Sequence, residues 1–121
     1  MTALLLVAHG SRREASNLEI QDLVLRLRAM NNAFESIEAA FLELAEPSIG
    51  NALQDQIDAG HTQIVVLPYF LAAGQHVQQD IPQQVALISQ RHPHVNIQIA
   101  QHLGANPEMA SMLLKLALTQ L

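Results

Sequence analysis

The chain predicts an α/β fold: a four-stranded parallel sheet in the order 2-1-3-4 with helices on both faces. Short apolar runs suited to strands alternate four times with longer stretches whose apolar residues recur at helical spacing. Parallel strands joined by right-handed helical crossovers produce that alternation. The first and third runs are apolar at every position, whereas the second and fourth carry Glu38, Asn96 and Gln98. Strands buried on both faces belong in the middle, and the mixed ones at the edges. Residues 1–121 read as one domain.

Leu4 to Ala8 is the first strand, ending at His9-Gly10. A helix follows from about Glu14 to Met30, with Ile20, Leu23, Val24, Leu27 and Met30 on one stripe. Two capping boxes compete for its start, Ser11 with Glu14 and Ser16 with Glu19. Ile37 to Glu43 is the second strand. Pro47 suits the first position of the next helix, where Ile49, Leu53 and Ile57 recur until Gly60 closes it. Ile64 to Leu67 is the third strand, ending at Pro68. Asp80-Ile81-Pro82 reads as an N-cap and first turn, and Ile81, Val85 and Ile88 carry that helix to His92-Pro93. Val95, Ile97 and Ile99 alternate with polar residues as a fourth strand. Asn106-Pro107-Glu108 caps a last helix with Met109, Met112, Leu113 and Leu116 turned inward.

Composition narrows the function. Half of the residues are hydrophobic but only 3% are aromatic, so the core is aliphatic. A domain of this size buries roughly two-thirds of its unfolded surface, which leaves no room for a large internal cavity. A bulky ligand therefore needs a surface cleft or a subunit interface. The net charge of −5, with only six Lys and Arg, argues against nucleic-acid and anionic-membrane partners. No apolar run approaches the roughly 20 residues of a membrane span, and the first residues read as a strand rather than a leader. The absence of cysteine excludes disulfides, thiolate metal sites and cysteine nucleophiles, and suits a cytoplasmic protein.

The order 2-1-3-4 puts a topological switch point between the first and third strands, where open α/β sheets bind ligands beyond the strand carboxyl ends. His9, Glu43 and His76 all fall on that rim. The connection from Tyr69 through Phe70, Leu71 and Gly74 to His76 is longer and more apolar than an ordinary βα loop, and suits a pocket wall. Two imidazoles and a carboxylate can hold a borderline divalent cation with places left for a substrate, or serve as acid and base near neutral pH. Singly, each has a plainer reading: His9 as a capping residue, His76 as a surface histidine, Glu43 as a solvated strand end. Ser11 suits a helix cap better than a nucleophile, since no nucleophile elbow surrounds it. Arg12 and Arg13 are either solvated charges or a carboxylate- or phosphate-recognising pair. His61 suits the helix dipole beside Gly60; His92 and His94 flank a turn, and His102 follows an edge strand.

At these residues the chain resembles the CbiX/SirB group of sirohydrochlorin chelatases, among the ATP-independent class II tetrapyrrole chelatases. The resemblance is carried by Leu5-Leu6-Val7-Ala8-His9-Gly10-Ser11-Arg12, by Ala40-Phe41-Leu42-Glu43 leading to Glu46-Pro47-Ser48-Ile49, and by Val66-Leu67-Pro68-Tyr69-Phe70-Leu71 with Gly74, His76 and Asp80-Ile81-Pro82. It implies a chelatase-like, flavodoxin-like half with His9 and His76 as metal-binding and catalytic histidines and Glu43 as a third active-site group. On that reading Ser11, Arg12, Arg13, Tyr69, Phe70, Leu71 and Gly74 line the substrate site. The implied reaction inserts Co²⁺, Fe²⁺ or Ni²⁺ into sirohydrochlorin, an eight-carboxylate macrocycle of cobalamin and sirohaem biosynthesis. The metal is then substrate, no cofactor is bound, and a homodimer encloses the macrocycle. Two other readings are a non-catalytic metal or tetrapyrrole carrier, and an enzyme using His9 and Arg12 on a phosphate.

Overall fold

The computed structural model describes residues 1–121. Its sheet is parallel throughout, with β1 (Thr2–Ala8) at the centre, β2 (Ser36–Phe41) on one side, and β3 (Gln63–Pro68) then β4 (Asn96–Ile99) on the other. The order is 2-1-3-4, with apolar strands inside and mixed strands at the edges. Between the strands run α1 (Glu14–Met30), α2 (Ile49–Asp58) and α3 (Ile81–Arg91), and α4 (Glu108–Leu118) follows β4. No helix is long and apolar enough to cross a membrane.

Alternate side chains of β1 feed two separate cores, as strand geometry demands. Ala3, Leu5 and Val7 pack with Ile49 and Leu53 of α2 and with Ile81, Val85 and Ile88 of α3. Leu4, Leu6 and Ala8 face α1, whose Val24 is its one buried residue. Ile20, Leu23 and Leu27 are partly buried along the same stripe, but Met30 at its end is exposed.

Several local expectations are corrected. Neither capping box forms: α1 starts after Arg13 without a side-chain cap, because Asn17 clamps the Ser11 backbone and the Ser11 hydroxyl accepts the Arg13 N–H. The second helix starts at Ile49, capped by Ser48, whose hydroxyl accepts the Asn51 N–H at 3.2 Å. Glu43 lies two residues past the end of β2. The largest correction concerns α4, which has no buried residue; Met112, Leu113 and Leu116 are more than half exposed. On the face where a fourth helix could lie, β3 presents the exposed Gln63 and the half-buried Val65 and Leu67, while β4 presents the polar Asn96 and Gln98. His61 is buried with its Nδ1 unpartnered, at the opposite end of the strands from the rim.

Candidate active site

The rim is assembled by backbone before any side chain is placed. Leu42 N–H donates to Ala8 O at 2.9 Å and Glu43 N–H to His9 O at 3.0 Å, so the ladder runs on past β2 and carries Glu43 alongside His9. This approach requires Gly10. Its φ is +94°, and a Cβ there would lie 1.8 Å from the Glu43 carbonyl oxygen. Leu44, immediately after Glu43, adopts φ +66°, a strained conformation for a bulky residue. The two segments close into a side-chain contact between His9 Nε2 and Glu43 Oε1 at 2.9 Å.

His76 arrives by a different route. It opens a single π-turn, His76–Asp80, that runs directly into α3, with Ile81 N–H donating to His76 O. Pro82 explains the widened turn: it has no N–H for the Gln78 carbonyl, and its ring crowds that carbonyl. Asp80 sits at the expected N-cap position, but its side chain makes no capping bond. Its Oδ2 instead meets His76 Nδ1 at 2.7 Å. The functional placement of Asp80 escaped the sequence reading, although the His-x-x-x-Asp spacing on a helical turn is the signal for it.

The His9 and His76 rings stand edge to face with centroids 4.8 Å apart, and Phe70 closes on His9 at 6.4 Å. His9, Glu43 and His76 therefore meet at the switch point, all partly open to solvent. A carboxylate oxygen only accepts, so in neutral rings the two imidazoles carry their hydrogen on opposite nitrogens. His9 keeps its lone pair on Nδ1, and His76 keeps its own on Nε2. No three His, Asp or Glu side chains are gathered into a ready cage for a metal ion. The rim offers separate donors, and an ion held there would keep coordination places for other ligands.

The other candidates divide. Tyr69 lines an open groove of about 300 Å³ with Ala8, His9, Ser11 and Ile20. Arg12 belongs to a neighbouring depression with Asn17, Leu44 and Glu46, and Arg13 is exposed; neither forms an ion pair. Leu71 is 70% exposed, and Gly74 has open space around it. What anchors that loop is Gly104, not singled out from the sequence. It donates to Phe70 O at 3.0 Å, and a Cβ there would lie 1.7 Å from Leu71 O. His92 Nε2–H donates to Gln54 Oε1 at 3.1 Å, and neither it nor His61 joins the rim.

Comparison with known proteins adds to this geometry. The CbiX family model matches residues 3–119. A sirohydrochlorin cobaltochelatase of Methanopyrus kandleri is 38% identical over 72% of this chain and 60% of its own length. One from Sulfolobus acidocaldarius is 33% identical over 93% of this chain and 87% of its own. In structure, the sirohydrochlorin chelatase SirB from Bacillus subtilis subspecies spizizenii, in complex with cobalt, superposes with a TM-score of 0.86 at 28% identity. That match covers 98% of this chain and 50% of SirB, so this chain spans half of one relative and under two-thirds of the Methanopyrus protein.

Proposed function

This chain belongs to the CbiX family, and on that premise we propose that it inserts a divalent metal into sirohydrochlorin without ATP or a bound cofactor. Co²⁺ is the first candidate metal, with Fe²⁺ and Ni²⁺ beside it, and the protein works as a cytoplasmic homodimer. The observation that carries the reading is the meeting of His9, Glu43 and His76, drawn from three separate strand-to-helix connections, at the switch point of the sheet.

Insertion exchanges two pyrrole N–H protons for one M²⁺, so the site must receive a cation and remove two protons. His76, with its Nε2 lone pair free, receives the ion as water leaves it; few protein ligands keep the later transfer to the macrocycle downhill. His9 accepts a proton at Nδ1 while Glu43, 2.9 Å from Nε2, stabilises the imidazolium that forms. Both groups are open enough to pass each proton on to water. Tyr69 and Phe70 supply an apolar surface for the ring. Arg12 and Arg13, free of ion pairs, face its carboxylates, which an otherwise acidic chain would repel.

A groove of about 300 Å³ sits at the low end of small-molecule pockets, about 300–1,000 Å³. A tetrapyrrole thus needs a second wall, and a second copy of the chain supplies it. The apolar residues that α4 leaves exposed are the surface we assign to that contact. The test is absorbance of sirohydrochlorin with purified protein and Co²⁺, then Fe²⁺ and Ni²⁺, against the uncatalysed rate. Acceleration lost in His9→Ala supports the reading. Tight binding of the macrocycle without acceleration would make the protein a carrier.

A further inference from the structure

We propose that Asp80 is a positioning residue that holds His76 in the tautomer able to receive the metal; the inference rests on the chelatase reading for its purpose, though not for its test. The contact is short, 2.7 Å between Nδ1 and Oδ2, and it joins the two ends of one π-turn. Asp80 has no competing task. It occupies the N-cap position of α3 in helical conformation, φ −68° and ψ −45°, with no side-chain cap bond, and its one ion-pair partner is His76.

The consequence follows from hydrogen-bond chemistry. Asp80 can only accept, so Nδ1 must donate, and the lone pair of the neutral ring is placed on Nε2, at the tip of the side chain. Without the carboxylate the ring is free to turn about its side-chain bonds and to carry its hydrogen on Nε2, where it blocks a cation. A carboxylate on the far nitrogen also makes the ligating nitrogen more basic, and loss of such a partner typically weakens metal binding about 10–100-fold. The π-turn is part of the device: it sets the phase of His76 and Asp80, and Pro82 maintains the wide turn. The same carboxylate tether recurs at His9 with Glu43, but through Nε2, so the two rings are prepared for different work.

The test uses the full chain labelled with ¹⁵N-histidine and long-range ¹H–¹⁵N spectra recorded without metal near neutral pH. In the unaltered protein the His76 ring should carry its hydrogen on Nδ1. Asp80→Ala should move it to Nε2, and Asp80→Glu, which returns a carboxylate, should restore the original form at least in part. Titration with Co²⁺ alone should show affinity about 10–100-fold weaker in Asp80→Ala and recovered in Asp80→Glu. If Asp80→Ala does not fold, the isosteric Asp80→Asn should give a mixture of tautomers. An unchanged His76 tautomer in Asp80→Ala or Asp80→Asn overturns the proposal, as does an unchanged Co²⁺ affinity in Asp80→Ala. Wild-type protein that shows the Nδ1–H form and the Asp80-dependent affinity, yet never accelerates insertion, removes the chelatase reading and leaves the tether standing.

Discussion

His9 and His76 are each held by one carboxylate, but across very different distances along the chain. His76 and Asp80 are four residues apart and share a turn, so local backbone geometry alone brings them together. His9 and Glu43 are 34 residues apart, and they meet because β1 and β2 pair in register and the ladder continues two residues beyond the strands. One half of the site is therefore a helical turn, tolerant of disturbance elsewhere. The other half depends on the sheet. The difference teaches that a single site can have a local arm and a tertiary arm with separate failure modes.

The most severe way to break the comparison is to remove each ring. His9→Ala and His76→Ala should both slow insertion by about 10²–10⁴-fold. Only His76→Ala should abolish Co²⁺ binding by the protein alone, whereas His9→Ala should retain it. Equal loss of binding in the two variants would make them joint ligands and end the division of labour. Gly10→Ala should strike the tertiary arm only. A Cβ 1.8 Å from Glu43 O at φ +94° forces the loops apart and should cost about 3 kcal/mol or more in urea unfolding. Insertion should fall with the displaced Glu43 while the His76 tautomer in NMR spectra stays as it was. Movement of both arms together would mean the site is one rigid unit.

The smallest effects sharpen a second contrast, between α2 and α4. Both are short amphipathic helices, of 10 and 11 residues, yet α2 buries Ile49, Ala52, Leu53 and Gln56, and α4 buries nothing. Leu53→Ala should cost about 2–5 kcal/mol in chemical denaturation. Leu113→Lys should change the stability of the isolated fold by about 0.5 kcal/mol or less. In sedimentation it should nonetheless shift the protein from dimer toward monomer, and a dimer unaffected by that charge would exclude this face as the interface.

Much of the architecture was legible because it rests on local periodicity and on the match between burial and strand position. Fully apolar Leu4–Ala8 and Ile64–Leu67 could only be central, and Ile81, Val85 and Ile88 mark the buried stripe of α3 at helical spacing. The same logic failed for α4. Met112, Leu113 and Leu116 have the spacing of a buried stripe, but periodicity reports that a helix is amphipathic, not whether its own sheet is what covers it. Asp80 misled for a related reason. The residue types that cap helices also accept from side chains, and the choice depends on where a histidine one turn away comes to lie.

By itself, then, the sequence determined the order of the elements, the order of the strands and the rim on which His9, Glu43 and His76 fall. These follow from hydrophobic pattern and from the fixed handedness of the crossovers. Only the tertiary structure decided which nitrogen of each histidine meets a carboxylate, that Gly10 lets Glu43 approach, and that α4 stands away from the sheet. Those outcomes depend on contacts of a few ångströms between segments remote in the chain, which periodicity along one segment does not encode.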